Sequence, residues 1–276
     1  MSDAETISSR IWLEEPEGDN PFAAQACFCH GYDVYGDILP KASWIEYLYL
    51  LFRGERPSQV DAQLLERLAI ALANPGPRDH SVRAAMNGGV GGSHHAACLM
   101  AALGVGAGQY GGAHEVAIAL DYWLSCGKDL AAWRDRLLHP PTQERADVWP
   151  AMEHPPGFDP HGSSCPTPVR QTLDCLSGLH EDSPLGWLKT NREALEGIAD
   201  SPLAMTGVAA AAFHTLGFDG DQAEMLFLLL RLPGTAVHAL EQREFGFRRY
   251  PFFHDAVSLE DDPGPHIDAP TQEGVS

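Results

Sequence analysis

Apolar residues recur at helical spacing along most of this chain. In ASWIEYLYLLFRGERPS, residues Trp44, Ile45, Leu48, Leu51 and Phe52 fall on one helical face, with Gly54 and Pro57 as stop signals. The following SQVDAQLLERLAIALANPGP repeats the pattern: Ser58 is a candidate N-cap, Leu64, Leu65, Leu68 and Leu72 form the apolar stripe, and Asn74-Pro75-Gly76-Pro77 ends it. The run SHHAACLMAALGVGAG is rich in Ala and Leu rather than in β-branched residues, and HEVAIALDYWLSCG and KDLAAWRDRLLH are helix-like as well. From about Trp149 to Pro168 the pattern breaks into WPAMEHPPGFDPHGSSCPTP, an irregular, proline-rich segment suited to a domain boundary or an active-site loop. Helical spacing then returns in VRQTLDCLSGLH, SPLGWLKTNREALEGIAD, GVAAAAFHTLGF and QAEMLFLLLRLPGTAVHALEQRE. Strand alternation is hard to find, and there is no internal repeat. The prediction is an all-α architecture.

A chain of 276 residues is long enough for one large domain or for a large and a small one. Its 38 acidic against 18 basic residues give a formal charge of -20, which repels a nucleic-acid backbone and an anionic membrane surface. Neither is an expected partner. The acidic, Pro- and Gly-containing segments at residues 1–20 and 258–276 read as mobile ends. The start lacks the basic and apolar blocks of a secretion signal, and the longest apolar runs are broken by Arg231 or by glycines, so a cytoplasmic protein without a membrane span is expected. Six scattered cysteines suggest neither a disulfide framework nor a zinc site. CFCH, Cys27 to His30, puts two thiols near an imidazole, but no second ligand set accompanies it, and no metal is assigned.

The stretch GVGAGQYGGAHEVAIAL allows three readings. Gly106, Gly108 and Gly111 have the spacing of a dinucleotide-binding loop, which needs a preceding buried strand; HHAACLMAAL is instead helix-prone. The glycines also suit two helices passing closely, with Tyr110 as a packing residue. The third reading is a resemblance. GQYGGAHEVAIAL looks like the catalytic-loop region of citrate synthases, in which a histidine precedes Gly-Gly-Ala and a Glu opens the next helix; Tyr110 takes that histidine's place.

Other segments resemble the same family, especially its short citryl-CoA-lyase-like members, over about Ile11 to Pro251. GYDVYGDILPKASWIEYLYLLFRGERPS is similar to the family's N-terminal pattern. RDHS is similar to the Asp-His pair that supplies a substrate-binding histidine, here His80. PPGFDPHG resembles the Pro-Gly-Phe-Gly-His loop, with a one-residue displacement that makes His161 the candidate second catalytic histidine. LLLRLPGTAVHALEQ is similar to the segment with a carboxylate-binding arginine, here Arg231, and FRRYP to the C-terminal arginine segment, here Arg248 and Arg249.

The resemblance implies an all-α, citrate synthase-like homodimer with a large helical domain (residues 1–150 and 232–276) and a small one (151–231). It implies a CoA thioester and a di- or tricarboxylate as ligands, the thioester being substrate and no cofactor being tightly held. Abstracting a proton beside a thioester needs a positioned base and a donor aimed at the oxygen where charge develops. The chain departs from the pattern at these points. AMTGVAAAAFHTLGF places Thr206 where the family's aspartate base stands, and a neutral hydroxyl does not replace a carboxylate base. Tyr110 retains a donor for the thioester oxygen. SVRAAMNGG after His80 is short, and the DPHGSSCPTP loop lacks the usual basic residues, for which Arg170 is the candidate substitute.

Arg231, in an apolar run, calls for either a carboxylate ligand or an internal acidic partner. His80 is a ligand donor or an exposed loop residue; His114 follows Tyr110 by one helical turn; His94 and His95 open a helix; Arg248 and Arg249 are a subunit-crossing contact or a solvated pair. Two functions follow. One is an enzyme forming or cleaving a carbon–carbon bond next to a CoA thioester carbonyl, with Tyr110 on the thioester oxygen, His161 on the keto or hydroxyl oxygen, His80, Arg231 and Arg249 on carboxylates, and the base unassigned. The other is a catalytically degenerate relative that binds CoA or a tricarboxylate, or partners an active homologue.

Overall fold

The computed structural model describes residues 8–141, 152 and 154–250. The chain begins with a small antiparallel sheet in the order β1 (Leu13–Pro16), β2 (Ala24–Cys29), β3 (Tyr32–Asp33). A π-helical turn, Val34–Ile38, leads into the short α1 (Leu39–Lys41). Ten further helices follow among the described residues: α2 (Trp44–Arg53), α3 (Gln59–Leu72), α4 (His80–Val90), α5 (His95–Gly106), α6 (Ala113–Cys126), α7 (Leu130–Leu138), α8 (Thr167–Ser177), α9 (Pro184–Ala199), α10 (Met205–Thr215) and α11 (Gly220–Phe245).

The predicted helices form where apolar stripes and caps coincide, although the face of α2 turned inward is Leu48, Tyr49 and Leu50, with the predicted Trp44 exposed. Ser43 and Glu46 make a reciprocal capping box at the start of α2, and Gly54 closes that helix in the left-handed conformation at φ 75°. Ser58 caps α3 through the Asp61 amide, and Leu64, Leu65, Leu68 and Leu72 are buried, the stripe read from the sequence. Asp219 and Gln222 form a second capping box on α11.

Two expectations about the N-terminal region are corrected. Strands exist, and the described part of the first twenty residues is not a loose end: Leu13, Glu14 and Glu15 pair with Phe28, Cys27 and Ala26. Every side chain of β1 is exposed, so pairing rests on backbone hydrogen bonds and leaves no apolar alternation to read. CFCHGYD is the hairpin itself. Cys27 and Cys29 point inward, and the His30-Gly31 turn has φ of 50° and 84°, the left-handed pair that matches strand twist. Among the described residues no group of three metal-ligating side chains comes together. The C-terminal segment 258–276 lies outside the described residues.

The main core is one continuous cluster to which α2, α3 and α6 to α11 all contribute. At its centre α10 is buried on every side from Thr206 to Phe213. Four consecutive alanines make this possible, because small side chains let α6, α8 and α9 approach a helix that has no solvent face. Trp123, Trp133 and Trp187 join α6, α7 and α9 with ring centroids 4.9 to 6.1 Å apart, and His214 stacks on Trp123 at 5.9 Å. Helix α11 packs on α4, α5 and α6. It is long and apolar enough to cross a membrane by length and composition, yet it buries Leu226, Phe227 and Leu230 in the core and carries Arg231 in an internal ion pair. It continues through Pro233, where the Gly234 N–H leaves the helix to donate to Ala73 O at 2.7 Å.

Candidate functional site

The glycine loop joins α5 to α6. No strand precedes it; α5 does, so the dinucleotide-binding arrangement is absent. The close-packing reading holds for Gly106, where a Cβ would lie 3.2 Å from Ser81 Cβ of α4. The end of the loop has a different role. Gly111 turns the chain at φ 70°, Gly112 opens α6, and Glu115 enters the interior from the first turn of that helix with a relative exposure of 1 %.

Glu115 is the hub of the site. Its carboxylate accepts from the Gly111 N–H at 2.6 Å, the Gly157 N–H at 2.8 Å and the Thr206 hydroxyl at 2.8 Å. His154 Nε2 stands 3.6 Å away. A carboxylate removed from water is tolerated only when its lone pairs are met, and here three donors meet them from three separate chain segments. The proline-rich segment thus returns to the glycine loop and to α10 at one point. Gly157, at φ 88°, makes the approach possible: a Cβ there would sit 2.8 Å from Gly207 Cα, and one on Gly207 would sit 2.4 Å from Gly157 O. The Ala204 N–H donates to Gly157 O, and Phe158 bridges to Leu203, which fastens the same segment to the start of α10.

His154 is 7 % exposed, and its ring stacks on Tyr110 with centroids 5.4 Å apart and planes 28° from parallel. Stacking covers a face of the imidazole and leaves its edge, where both nitrogens lie, for in-plane hydrogen bonds. Nε2 faces Glu115, while Nδ1 is buried with no hydrogen-bond partner among the described residues. Tyr110 is 45 % exposed, so it has one face toward the buried histidine and reaches solvent as well.

Arg231 approaches from α11. It pairs with Asp79, donates to Gly111 O at 3.3 Å, and lies 4.7 Å from the centroid of the Phe227 ring. Burial pushes its guanidinium below its ordinary value, and Asp79 acts in the opposite sense. Of the two partners open to this residue from sequence, the internal carboxylate is the one it has. Asp79 is also the N-cap of α4, accepting from the Ser81 and Val82 amides, so one residue starts a helix and neutralises the arginine. The cavity beside them, lined by Ser81, Gly106, Leu228 and Arg231, measures about 10 Å³, room for a water and not for an organic acid.

The remaining candidates are peripheral. His80, first residue of α4, is exposed. His161 is exposed in a turn in which its N–H donates to Asp159 Oδ1 at 2.9 Å. Arg170 is exposed in the first turn of α8 and donates to Thr167 Oγ1 at 3.0 Å. Arg249 is exposed in a 3-10 turn, 5.9 Å from the Phe245 ring centroid, next to Arg248. His114 pairs with Glu224 at 3.5 Å on the surface, and His94 stands at the N-cap position, without a side-chain capping bond, of the helix that His95 opens. The structure therefore brings Thr206 onto the Glu115 carboxylate, Tyr110 onto the neighbouring His154 ring and Arg231 onto Asp79 and the Gly111 carbonyl of the same loop, and leaves His80, His161, Arg170 and Arg249 outside that cluster. The sequence reading missed His154, Glu115 and Asp79. Glu115 stood in the quoted loop motif without a role, and His154 carried no periodic signal in a segment without regular structure.

This fold is the citrate synthase-like one, a bundle of helices with a small N-terminal sheet. The citryl-CoA lyase from Hydrogenobacter thermophilus superposes with a TM-score of 0.68 at 17% identity, over 95% of this chain and 97% of that one. The ATP citrate lyase from Methanothrix soehngenii, solved with citrate and coenzyme A, gives a TM-score of 0.68 at 17% identity, over 98% of this chain and 44% of its own. The citrate synthase from Thermoplasma acidophilum, in a ternary complex with carboxymethyl coenzyme A and oxaloacetate, gives 0.55 at 13% identity, over 83% and 60%. No family model matches the sequence, and no curated protein matches it.

Proposed function

We propose that the chain acts on a CoA thioester together with a 2-oxo acid or the corresponding hydroxy acid, forming or cleaving the carbon–carbon bond next to the thioester carbonyl. The observation that carries this reading is the convergence of His154 and Thr206 on buried Glu115, with Tyr110 stacked on His154, at the end of the loop that resembles the catalytic loop of citrate synthases. Tyr110 donates its phenol proton to the thioester oxygen, where negative charge develops. His80, Arg170 and Arg249, exposed cations or donors, are free to meet carboxylates, whereas Arg231 shapes the loop through Asp79 and Gly111. In this reading residues 151–231 form the smaller lobe and 1–150 with 232–276 the larger. The protein is a homodimer through the exposed apolar side chains of α5 and α11, Met100, Val105, Val237 and Leu240. Incubation with citryl-CoA, or with acetyl-CoA and oxaloacetate, followed by mass spectrometry of the thioesters and detection of free thiol, tests the activity. Absence of turnover with a panel of such pairs defeats it.

A second reading, a non-catalytic relative that binds CoA or a tricarboxylate, is favoured by one observation. Thr206, where the family's base stands, has its hydroxyl committed to Glu115. Calorimetry that registers CoA or citrate binding in a protein without turnover supports it, and turnover restored by Tyr110→His with Thr206→Asp shows that only the chemistry was lost.

A further inference from the structure

We infer that His154 is the proton-transfer group of this site, oriented by Glu115, and that it takes the place left open by Thr206. The inference rests on the acyl-thioester reading above. Three observations point to it. The imidazole is buried beside a carboxylate that is itself 1 % exposed, with Nε2 at 3.6 Å from Oε2. Carboxylate and histidine pairs of this kind fix the tautomer and the ring orientation, and such contacts tighten when a ligand closes the site. Second, Nδ1 is buried without a hydrogen-bond partner among the described residues, a costly arrangement that a substrate proton would relieve. Third, the ring lies face to face with Tyr110 at 5.4 Å, so an acceptor and a phenolic donor stand side by side. Proton abstraction beside a carbonyl requires those two groups together.

Thr206 and His154 also address the same carboxylate: the threonine hydroxyl donates to Oε1 and the imidazole faces Oε2. The threonine is thereby fixed as a donor and does not act as the base. Glu115 accepts from Gly111, Gly157 and Thr206, so it is a positioning residue and not the base either.

One imidazole suffices for the balance of the reaction. The C–H bond next to the thioester carbonyl breaks and its proton moves to Nδ1. The electron pair becomes the carbon–carbon double bond of an enolate whose oxygen is met by Tyr110. The enolate carbon then bonds to the carbonyl carbon of the 2-oxo acid, and the imidazolium returns the proton to the new alkoxide. One proton has moved from carbon to oxygen, and no further acid is consumed. Cleavage follows the same steps in reverse.

The test uses the full chain and two readouts, exchange of the acetyl-CoA methyl protons into D2O and turnover of acetyl-CoA with oxaloacetate or of citryl-CoA. Acetyl-CoA affinity is measured by calorimetry in parallel. His154→Gln is expected to lower exchange and kcat by about 10²- to 10⁴-fold, the usual worth of a positioned acid or base, with acetyl-CoA affinity little changed. His154→Ala is expected to regain part of its rate in added imidazole, which an unfolded variant does not do. An active wild type whose His154→Gln variant keeps both its turnover and its exchange rate overturns the inference and leaves the acyl-thioester reading standing. A wild type that binds acetyl-CoA but neither exchanges nor turns over overturns the inference and favours the binder; one that does not bind defeats both.

Discussion

Glu115→Gln is the most informative perturbation of stability, because it changes charge and donor pattern while keeping shape. In the wild type the two carboxylate oxygens accept from Gly111, Gly157 and Thr206. A glutamine has one acceptor oxygen and one donor NH2. If the amide oxygen faces Gly157 and Thr206, the NH2 meets the Gly111 N–H, donor against donor; the opposite flip orphans the Gly157 amide instead. Either way at least one buried N–H loses its partner, costing about 1–3 kcal/mol, and the bonds that remain drop from charge-assisted to neutral, about 1 kcal/mol more. The expected destabilisation is roughly 2–4 kcal/mol. For a chain of this size that corresponds to a fall in Tm of about 4–16 °C. Thermal melts and urea titrations on wild type and Glu115→Gln measure it, and Glu115→Ala, which leaves all three donors unmet, should fall further. A Glu115→Gln protein within about 0.5 kcal/mol of wild type, the range of an ordinary surface change, would refute the hub assignment.

Other outcomes follow from the same geometry. Thr206→Val, which keeps shape and removes the hydroxyl, is expected to cost about 1–2 kcal/mol in urea unfolding by weakening one charge-assisted bond. Gly157→Ala forces a Cβ to 2.8 Å from Gly207 Cα at a positive φ, so a loss above about 3 kcal/mol, or no soluble protein, is expected; wild-type-like melting would show that the segment 154–158 yields easily. Arg231→Met and Asp79→Asn should each destabilise by about 3–5 kcal/mol through an uncompensated buried charge, and a double-mutant cycle should show the combined variant losing less than the sum. Burial lowers the His214 imidazole below its ordinary 6.5, so the folded state binds fewer protons than the unfolded chain. The stability it contributes is complete above about pH 6.5 and falls as pH drops below that value, and His214→Phe should flatten this part of the stability–pH curve.

Much of the fold was legible because its helices are amphipathic and capped. Ser58 with the leucine stripe of α3, and Gly54 closing α2, are local signals that act within one or two turns. The N-terminal hairpin was not legible, since β1 exposes every side chain and its pairing partner lies a loop away. Tyr110 and Thr206 could be singled out from the chain because they stand in motifs that resemble a known catalytic loop and helix. His154 could not, because it precedes the Pro-Gly-Phe segment to which the resemblance assigned a different histidine, His161, and that residue is on the surface.

By itself, then, the sequence determined the helical class, the Gly54 and Ser58 caps and the inward leucine face of α3. These depend on contacts between near neighbours in the chain, whose spacing is written in the order of residues. Only the tertiary structure decided that Arg231 meets Asp79 across 152 residues, and that Thr206 and Gly157 reach Glu115 across 91 and 42. A buried charge must find its partners wherever the packed helices bring them, and that meeting point is a property of the assembled core rather than of any segment.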